Sequence, residues 1–105
     1  GGLWEFPGGK QEENETLPAA LQREIMEELG CEISVETEFG EYQHAYTHFR
    51  VTLHAFLCSL IKGDPHPIEA SQLAWVPWQQ LSEYPMGKID RQIAEQLRKN
   101  ADKSL

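Results

Sequence analysis

Residues 8–31, GGKQEENETLPAALQREIMEELGC, form the most regular pattern in the chain. Thr16 is a suitable N-cap, and Gly30 is a suitable residue to follow the last helical turn. The stretch therefore predicts a helix over residues 17–29 behind a loop that contains two glycines. Its apolar residues recur at every fourth position, as on one face of a helix: Leu17, Leu21, Ile25 and Leu29.

Three glutamates, Glu24, Glu27 and Glu28, occupy the last two turns of this predicted helix. They fall within an arc of roughly 100° on the helix surface, so their carboxylates lie within reach of one another. Like charges at this spacing destabilise a helix, and the partial negative charge of the helix C-terminus adds to the cost. A hard divalent cation such as Mg²⁺ would relieve both effects. A solvated acidic face that Arg23 partly neutralises is the alternative interpretation.

The wider spacing in this stretch resembles the Nudix box, the signature of hydrolases that cleave nucleoside diphosphates linked to another moiety. Residues 9–31 match G-x5-E-x7-R-E-U-x-E-E-x-G-U, where U is a bulky apolar residue. Seven positions require one residue type each, so chance agreement at a given start is on the order of 10⁻⁸ to 10⁻⁹. Cys31 is a mild departure, because Ile, Leu or Val is commoner there. The flanking segments LWEFPGGK and HFRVTLHAF are similar to MutT-type pyrophosphohydrolases, which remove oxidised purine nucleotides such as 8-oxo-dGTP.

This resemblance implies a set of metal ligands and a reaction. Gly8 would offer its backbone carbonyl to Mg²⁺, or to Mn²⁺ as a substitute, together with the carboxylates of Glu24, Glu27, Glu28 and Glu69. Glu24 is the expected general base and Glu69 the second candidate. Water would attack the β-phosphorus of a nucleoside triphosphate, which gives a nucleoside monophosphate and pyrophosphate.

The resemblance also implies a nucleotide site. Glu5, Phe6 and Pro7, together with Gly8, would line it through backbone and ring contacts. Asp90 stands where MutT-type enzymes often have an asparagine that reads the oxidised purine. We expect Asp90 either to read a purine edge or to be an ordinary acid in the first turn of a helix.

Three further charged residues have candidate roles. Arg50 is either a phosphate contact or an exposed arginine on a strand. Glu15 and Arg23 look like the pair that braces the loop against the helix in this family, which is a structural role.

Beyond Gly30 the pattern changes from helical to alternating. The order predicts an α/β fold, a Nudix-type α/β/α sandwich with a mixed β-sheet between helices. A single domain over residues 1–105 is expected, and the tight glycine loop at its start suggests that one or more N-terminal strands precede it. The predicted strands cover residues 31–36, 39–45, 48–60 and 73–78, and a second helix covers residues 87–100.

The bulk composition limits the partners. A net charge of −8 opposes direct binding to DNA and also repels polyanionic small molecules unless a metal cation intervenes. The sequence has no apolar run long enough to span a bilayer and no pattern of a signal peptide, so a cytoplasmic location without membrane contact is expected. The oligomeric state has no signal in the sequence.

Cysteine and tryptophan residues are expected to be structural. Cys31 and Cys58 have no zinc or disulfide spacing, so we interpret both as small core residues in a reducing compartment. Trp4, Trp75 and Trp78 are expected in the core or at its rim.

Two alternatives to 8-oxo-dGTP hydrolysis stay open. The C-terminal domain of MutY-type adenine glycosylases resembles MutT and reads 8-oxoguanine within DNA, and the YTH sequence of residues 46–48 is similar to its aromatic-Ser-His loop. Those domains usually have an eroded box, whereas the box is complete here. Within the hydrolases, a cytidine nucleotide is the alternative substrate.

Overall fold

The computed structural model describes residues 2–104, so the terminal residues Gly1 and Leu105 of the expected domain lie outside the described residues. The class is α/β, as predicted. The expectations of one domain over residues 1–105 and of preceding strands stay predictions. Within the described residues, no helix is long and apolar enough to cross a membrane. The elements are α1 (Leu17–Leu29), β1 (Glu32–Ala45), β2 (Arg50–Lys62), a 3₁₀ helix (Trp78–Glu83) and α2 (Lys88–Ser104).

Helix α1 begins and ends where the sequence predicts. The side-chain oxygen of Thr16 accepts the N–H of Ala19 at 3.2 Å, which satisfies one of the unpaired donors of the first turn. Gly30 follows the helix with a φ of 67°, and its N–H donates to the carbonyl of Met26 at 3.0 Å. Glycine adopts this left-handed conformation without steric penalty. The local signals around the helix therefore suffice to determine its limits.

Strands β1 and β2 pair in a two-stranded sheet. Four residues connect them, and the N–H of Tyr46 donates to the carbonyl of Phe49 at 2.8 Å, so the strands are antiparallel. The two strands expected over residues 31–45 are one continuous strand. The junction between the two expected strands, residues 37–38, contains no glycine or proline that would interrupt a strand. Glu38 in this junction also contacts Nδ1 of His54 on β2 at 2.6 Å.

The prediction of a strand over residues 73–78 is wrong. Residues 72–77 belong to no helix or strand, and Trp78 opens the 3₁₀ helix. Pro77, just before it, has a φ of −58° and no N–H for a sheet ladder, which favours the start of a helix. Trp75 is 80% exposed, so its predicted place in the core or rim is also wrong.

The described chain divides into two compact units, each with its own packing. The first, here called the α1 unit, contains residues 7–40 and 54–74. The second, called the α2 unit, contains residues 2–6, 41–53 and 75–104. Strands β1 and β2 each contribute residues to both units.

The core of the α1 unit forms where the apolar stripe of α1 meets β1. Burial raises the pKa of the Cys31 thiol, as expected of a core residue. The same expectation is wrong for Cys58, which is exposed on β2 near exposed Leu57 and Leu60. Within residues 2–104 the sheet has only two strands, so this end of β2 stays uncovered. The buried residues of the core are Ile25, Leu29, Cys31 and Ile33.

In the α2 unit, Trp4 joins the N-terminal segment to the turn before α2. Its N–H donates to the carbonyl of Pro85 at 2.8 Å, and it forms an isolated parallel bridge with Met86. Its ring meets that of Tyr84 edge-on, with centroids 5.3 Å apart. Trp4 and Trp78 are both half-buried, as expected for residues at the rim.

Candidate active site

Arg23 organises the charges on the polar face of α1. Its Nε and Nη2 bind the two carboxylate oxygens of Glu15 at 2.8 and 2.9 Å, and Nη2 also donates to the carbonyl of Lys10 at 3.0 Å. A bidentate pair of this kind fixes both position and orientation. The two residues predicted as a brace are thus joined by an ion pair between the loop and α1.

The same contacts lower the pKa of Glu15 from 4.5 to about 2. The hydrogen bond from Arg23 is the largest cause, and the backbone N–H of Glu12, which donates to Oε1 at 2.8 Å, is the second. Hydrogen bonds to Glu15 and Glu24 raise the pKa of Arg23 further. The guanidinium and the Glu15 carboxylate therefore stay charged throughout the ordinary pH range.

Arg23 also reaches two of the predicted metal ligands. Its Nη1 donates to Oε1 of Glu24 at 2.9 Å and to Oε2 of Glu27 at 3.2 Å. The Glu24 side chain is mostly buried, while that of Glu27 is half-exposed. Arg23 thus offsets part of the repulsion between the carboxylates, as one of the two interpretations of the sequence expected.

The glycine loop lies directly on the carboxylate of Glu24. A Cβ atom on Gly9 would lie 2.2 Å from the carboxyl carbon of Glu24 and 2.2 Å from its Oε2, so a larger residue would displace one of them. Backbone carbonyls and carboxylates are hard oxygen donors, which is the ligand chemistry that Mg²⁺ prefers. The loop and the polar face of α1 therefore fit such an ion by the chemistry of their donors.

These donors are not already arranged around a metal position. Among residues 2–104, no three His, Cys, Asp or Glu side chains are grouped so that they could hold a metal ion. Glu24 and Glu27 point to Arg23 instead. Binding of Mg²⁺ by the predicted set therefore requires these two carboxylates to turn from the guanidinium to the ion.

Glu69 follows a segment that is hydrogen-bonded to the C-terminal end of α1. The N–H of His66 donates to the carbonyl of Leu29, and the N–H of Ile68 donates to the carbonyl of Glu28, each at 3.0 Å. The backbone at Glu69 is therefore only one residue from a hydrogen bond to Glu28, another predicted ligand.

His66 and Ile68 have no role among the predictions from sequence. The signal that could have found them is the segment PHPI, residues 65–68. Its two prolines lack N–H groups, so the two other residues are its only backbone donors. A segment in which every second residue can donate suits one-sided binding to the free carbonyls of a helix end.

The residues predicted to line the nucleotide site belong to both units. Pro7 and Gly8 belong to the α1 unit, while Glu5 and Phe6 belong to the α2 unit. The N–H of Phe6 donates to Oδ1 of Asp90 at 3.0 Å. Asp90 lies in the first turn of α2, so its carboxylate joins the N-terminal segment to this helix.

Arg50 is exposed at the start of β2, beside a cavity of about 360 Å³ in the α2 unit. The YTH sequence occupies the tip of the hairpin, where the exposed rings of Tyr46 and Phe49 stack with centroids 4.7 Å apart. The cavity is lined by Gln43, His44, Ala45, Arg50, Val51 and Thr52.

Comparison with known proteins agrees with the sequence pattern. A family model described as NUDIX domain matches residues 1–96. The chain belongs to this family, which confirms the predicted resemblance and the Nudix-type α/β fold.

Individual relatives include phosphohydrolases of bacteria. An 8-oxo-dGTP diphosphatase of Buchnera aphidicola subsp. Acyrthosiphon pisum is 38% identical over 74 residues, which are 70% of this chain and 59% of that protein. A CTP pyrophosphohydrolase of Escherichia coli K12 is 34% identical over 94 residues, or 90% of this chain and 70% of that protein. The chain thus spans about three fifths of the length of the first relative.

A solved structure is similar over most of the chain. The solution structure of the E. coli ORF135 protein has a TM-score of 0.86 and 33% sequence identity to this chain. The match covers 92% of this chain and 69% of that one.

Proposed function

We propose that this chain is the catalytic domain of a Mg²⁺-dependent nucleoside triphosphate pyrophosphohydrolase that acts on oxidised purine nucleotides such as 8-oxo-dGTP. The observation that carries the proposal is the contact between Gly9 and the carboxylate of Glu24. It supports the proposal because the glycine loop lies against the acidic face of α1. Membership of the NUDIX domain family and the 8-oxo-dGTP diphosphatase relative support it.

The metal ligands of the proposed enzyme are Gly8 through its carbonyl and the carboxylates of Glu24, Glu27, Glu28 and Glu69. Mg²⁺, when bound, neutralises the charge of the diphosphate and polarises the attacking water. Without a cation, this acidic face would repel a polyanionic substrate. Mn²⁺ has the same preference for oxygen ligands and is the expected substitute.

Hydrolysis requires a base for the attacking water. Glu24 accepts a proton from that water, whose oxygen forms a bond to the β-phosphorus. The bond between this phosphorus and the oxygen shared with the α-phosphate breaks, and the nucleoside monophosphate leaves with pyrophosphate as the second product. Glu69 is the second candidate for the base. Arg23 holds the Glu24 carboxylate through the hydrogen bond at 2.9 Å until this carboxylate turns to the ion.

The preference for an oxidised purine rests on Asp90. Its Oδ1 accepts the N–H of Phe6, so a contact to the edge of the base would fall to Oδ2. Phe6 is half-buried beside it and offers a ring for the base, while Arg50 is the candidate contact for the phosphates. By this proposal the enzyme removes oxidised nucleotides from the nucleotide pool, and thereby protects DNA without binding it.

A cytidine nucleotide is the second candidate substrate. The CTP pyrophosphohydrolase of E. coli is aligned over 90% of this chain, more than the 70% of the Buchnera relative. The longer alignment favours a test of CTP and dCTP beside the purine nucleotides.

The test is a screen for release of pyrophosphate, with and without Mg²⁺, over 8-oxo-dGTP, dGTP, CTP and dCTP. We expect turnover only with Mg²⁺, and the highest kcat/KM with 8-oxo-dGTP. Glu28→Gln serves as the inactive variant. Glu95→Gln, which removes an exposed glutamate of α2, serves as the matched control.

Three outcomes decide between the candidates. Highest kcat/KM with CTP or dCTP would transfer the assignment to a cytidine nucleotide. Absence of turnover with every nucleotide, together with tight binding to a duplex that contains 8-oxoguanine opposite adenine, would favour the glycosylase domain instead. Equal turnover by Glu28→Gln and Glu95→Gln would remove the acidic face of α1 from the mechanism.

A further inference from the structure

Residues 63–68, which we call the clasp, lie along the C-terminal end of α1. The last carbonyl groups of an α-helix have no hydrogen-bond partner within the helix. Here the N–H of His66 donates to Leu29 and the N–H of Ile68 donates to Glu28, both at 3.0 Å. The clasp thus binds two of the carbonyl groups that α1 itself leaves unpaired.

The composition of residues 65–68 restricts their backbone donors to these two hydrogen bonds. Pro65 and Pro67 have no N–H, so His66 and Ile68 are the only backbone donors in residues 65–68, and both bind α1. A proline also holds the residue before it in an extended conformation. In an extended segment, donors two residues apart point to the same side. The clasp is therefore preorganised to bind along one edge.

The imidazole of His66 closes the clasp on Gly30. Its Nδ1 lies 2.9 Å from the carbonyl oxygen of Asp64, and because a carbonyl only accepts, Nδ1 carries the hydrogen. The ring covers Gly30 so closely that a Cβ there would lie 2.5 Å from Cε1 and 3.1 Å from Nε2. A Cβ on Gly63, whose φ is 89°, would lie 3.1 Å from the carbonyl oxygen of Gly30.

We propose that His66 is a positioning residue for the hydrolytic site and acts through Glu69. Glu69 directly follows Ile68, so the hydrogen bond from Ile68 to Glu28 sets how closely the backbones of two proposed ligands approach. His66 maintains this register through its side-chain hydrogen bond and its contact with Gly30. The inference rests on the proposed function, because the roles of Glu28 and Glu69 come from it.

The test compares three variants of the full chain at constant pH. His66→Ala removes the ring, while His66→Asn keeps a donor, because the amide Nδ2 occupies the place of Nδ1. Asp64→Asn is the matched control, since the acceptor at this residue is its backbone carbonyl. We expect His66→Ala to lower kcat about tenfold with KM changed less than about threefold, because it misplaces a catalytic group and leaves the nucleotide site intact.

The kcat values of the conservative variant and of the control are compared with that of His66→Ala. His66→Asn is expected to recover kcat to within about threefold of the wild type, and Asp64→Asn to stay within about twofold. If His66 acts through Glu69, the double variant His66→Ala/Glu69→Gln loses no more than about twofold beyond Glu69→Gln alone.

Amide hydrogen exchange gives a readout that does not depend on turnover. We expect the exchange of the Ile68 amide to rise about tenfold in His66→Ala and to stay near the wild-type rate in His66→Asn and Asp64→Asn. The amides within α1 serve as the internal reference, because the backbone hydrogen bonds from the clasp go to its last carbonyl groups.

The outcomes separate this inference from the proposed function. If the wild type hydrolyses no nucleotide, the proposed function fails, and the proposal that His66 acts through Glu69 falls with it, whatever the exchange data show about the clasp. If the wild type is active, wild-type kcat in His66→Ala overturns the inference. The inference is also overturned if His66→Asn does not recover kcat, or if KM changes by the same factor as kcat. Either result would indicate a general defect of folding.

Discussion

The two α-helices of this protein distribute their charges in opposite ways. α1, all of whose residues are described, has no acidic residue in its first turn and no basic residue in its last, and three glutamates lie in its last two turns. α2 has Asp90 in its first turn and Lys103 in its last, which is the arrangement that the helix dipole favours. Folding stability accounts for the charges of α2 but not for those of α1.

The difference teaches what a binding face on a helix requires. The charge of Asp90 in α2 is already used by the N–H of Phe6. In α1, Arg23 and the clasp offset part of the unfavourable charge without removing it. A carboxylate cluster that folding leaves incompletely compensated retains affinity for a cation. Five predictions test this contrast.

The largest expected effect is on turnover. Glu28→Gln should lower kcat on the order of 10²-fold or more, because by our proposal it removes a charged ligand of the metal at the reacting diphosphate. Glu95→Gln on α2 should change kcat less than about twofold, since its side chain is exposed on a helix without a proposed catalytic role. Steady-state release of pyrophosphate measures both. Similar losses in the two variants would abolish the contrast between the helices.

The next largest effect is on the C-terminal end of α1. Gly30→Ala should lower the free energy of unfolding by about 1–3 kcal/mol, because the residue has a φ of 67° and its new Cβ would lie 2.5 Å from the ring of His66. Gly87→Ala, just before α2, is the matched control: among residues 2–104, its Cβ would meet only Leu3 Cδ1, at 4.0 Å. Urea denaturation measures both, and equal losses would contradict the special role of Gly30.

The first turn of α2 should show a smaller loss of stability. Asp90→Ala should lower the free energy of unfolding by about 1–2 kcal/mol, because it removes an acceptor for the N–H of Phe6 and a favourable charge at the helix start. Asp90→Asn keeps an acceptor oxygen and should lose less. If both variants were as stable as the wild type, the charge of Asp90 would contribute to substrate binding alone and not to folding stability.

The ion pair between the loop and α1 should depend on pH in a defined direction. Since the pKa of Glu15 is lowered from 4.5 to about 2 in the folded protein, its charge stabilises the fold above pH 4.5. That contribution is lost as the pH falls towards 2. We expect Glu15→Gln to be less stable than the wild type at pH 7. The difference should shrink between pH 4.5 and 2 in urea denaturation, and a constant difference would contradict the lowered pKa.

The smallest expected effect is at Glu27. The ion pair of its half-exposed carboxylate with Arg23 at 3.2 Å stabilises the fold, and its position near the helix C-terminus destabilises it. Each effect on the free energy of unfolding is about a few tenths of a kcal/mol. Glu27→Gln should therefore change the free energy of unfolding by less than about 0.5 kcal/mol while it lowers the affinity for Mg²⁺. A loss of stability as large as that of Asp90→Ala would show that the glutamates of α1 stabilise the fold as Asp90 does in α2.

Prediction from sequence succeeded where the determinants are local. The limits of α1 follow from the apolar spacing, the Thr16 cap and Gly30, all of which act within a few residues. It failed at residues 73–78, where the aromatic and apolar composition suggested a strand but Pro77 precedes a 3₁₀ helix that begins at Trp78. It also failed at Cys58, because whether one face of a strand is buried depends on which elements cover it.

For the candidate site, the sequence by itself determined which carboxylates share a face of α1, because the helical period sets that geometry. It also determined the NUDIX domain family through the spacing of the box. Only the tertiary structure decided that His66 and Ile68 bind the end of α1 beside Glu28. That contact joins residues about forty positions apart, and it depends on the path of β1 and β2 between them, which no local periodicity encodes.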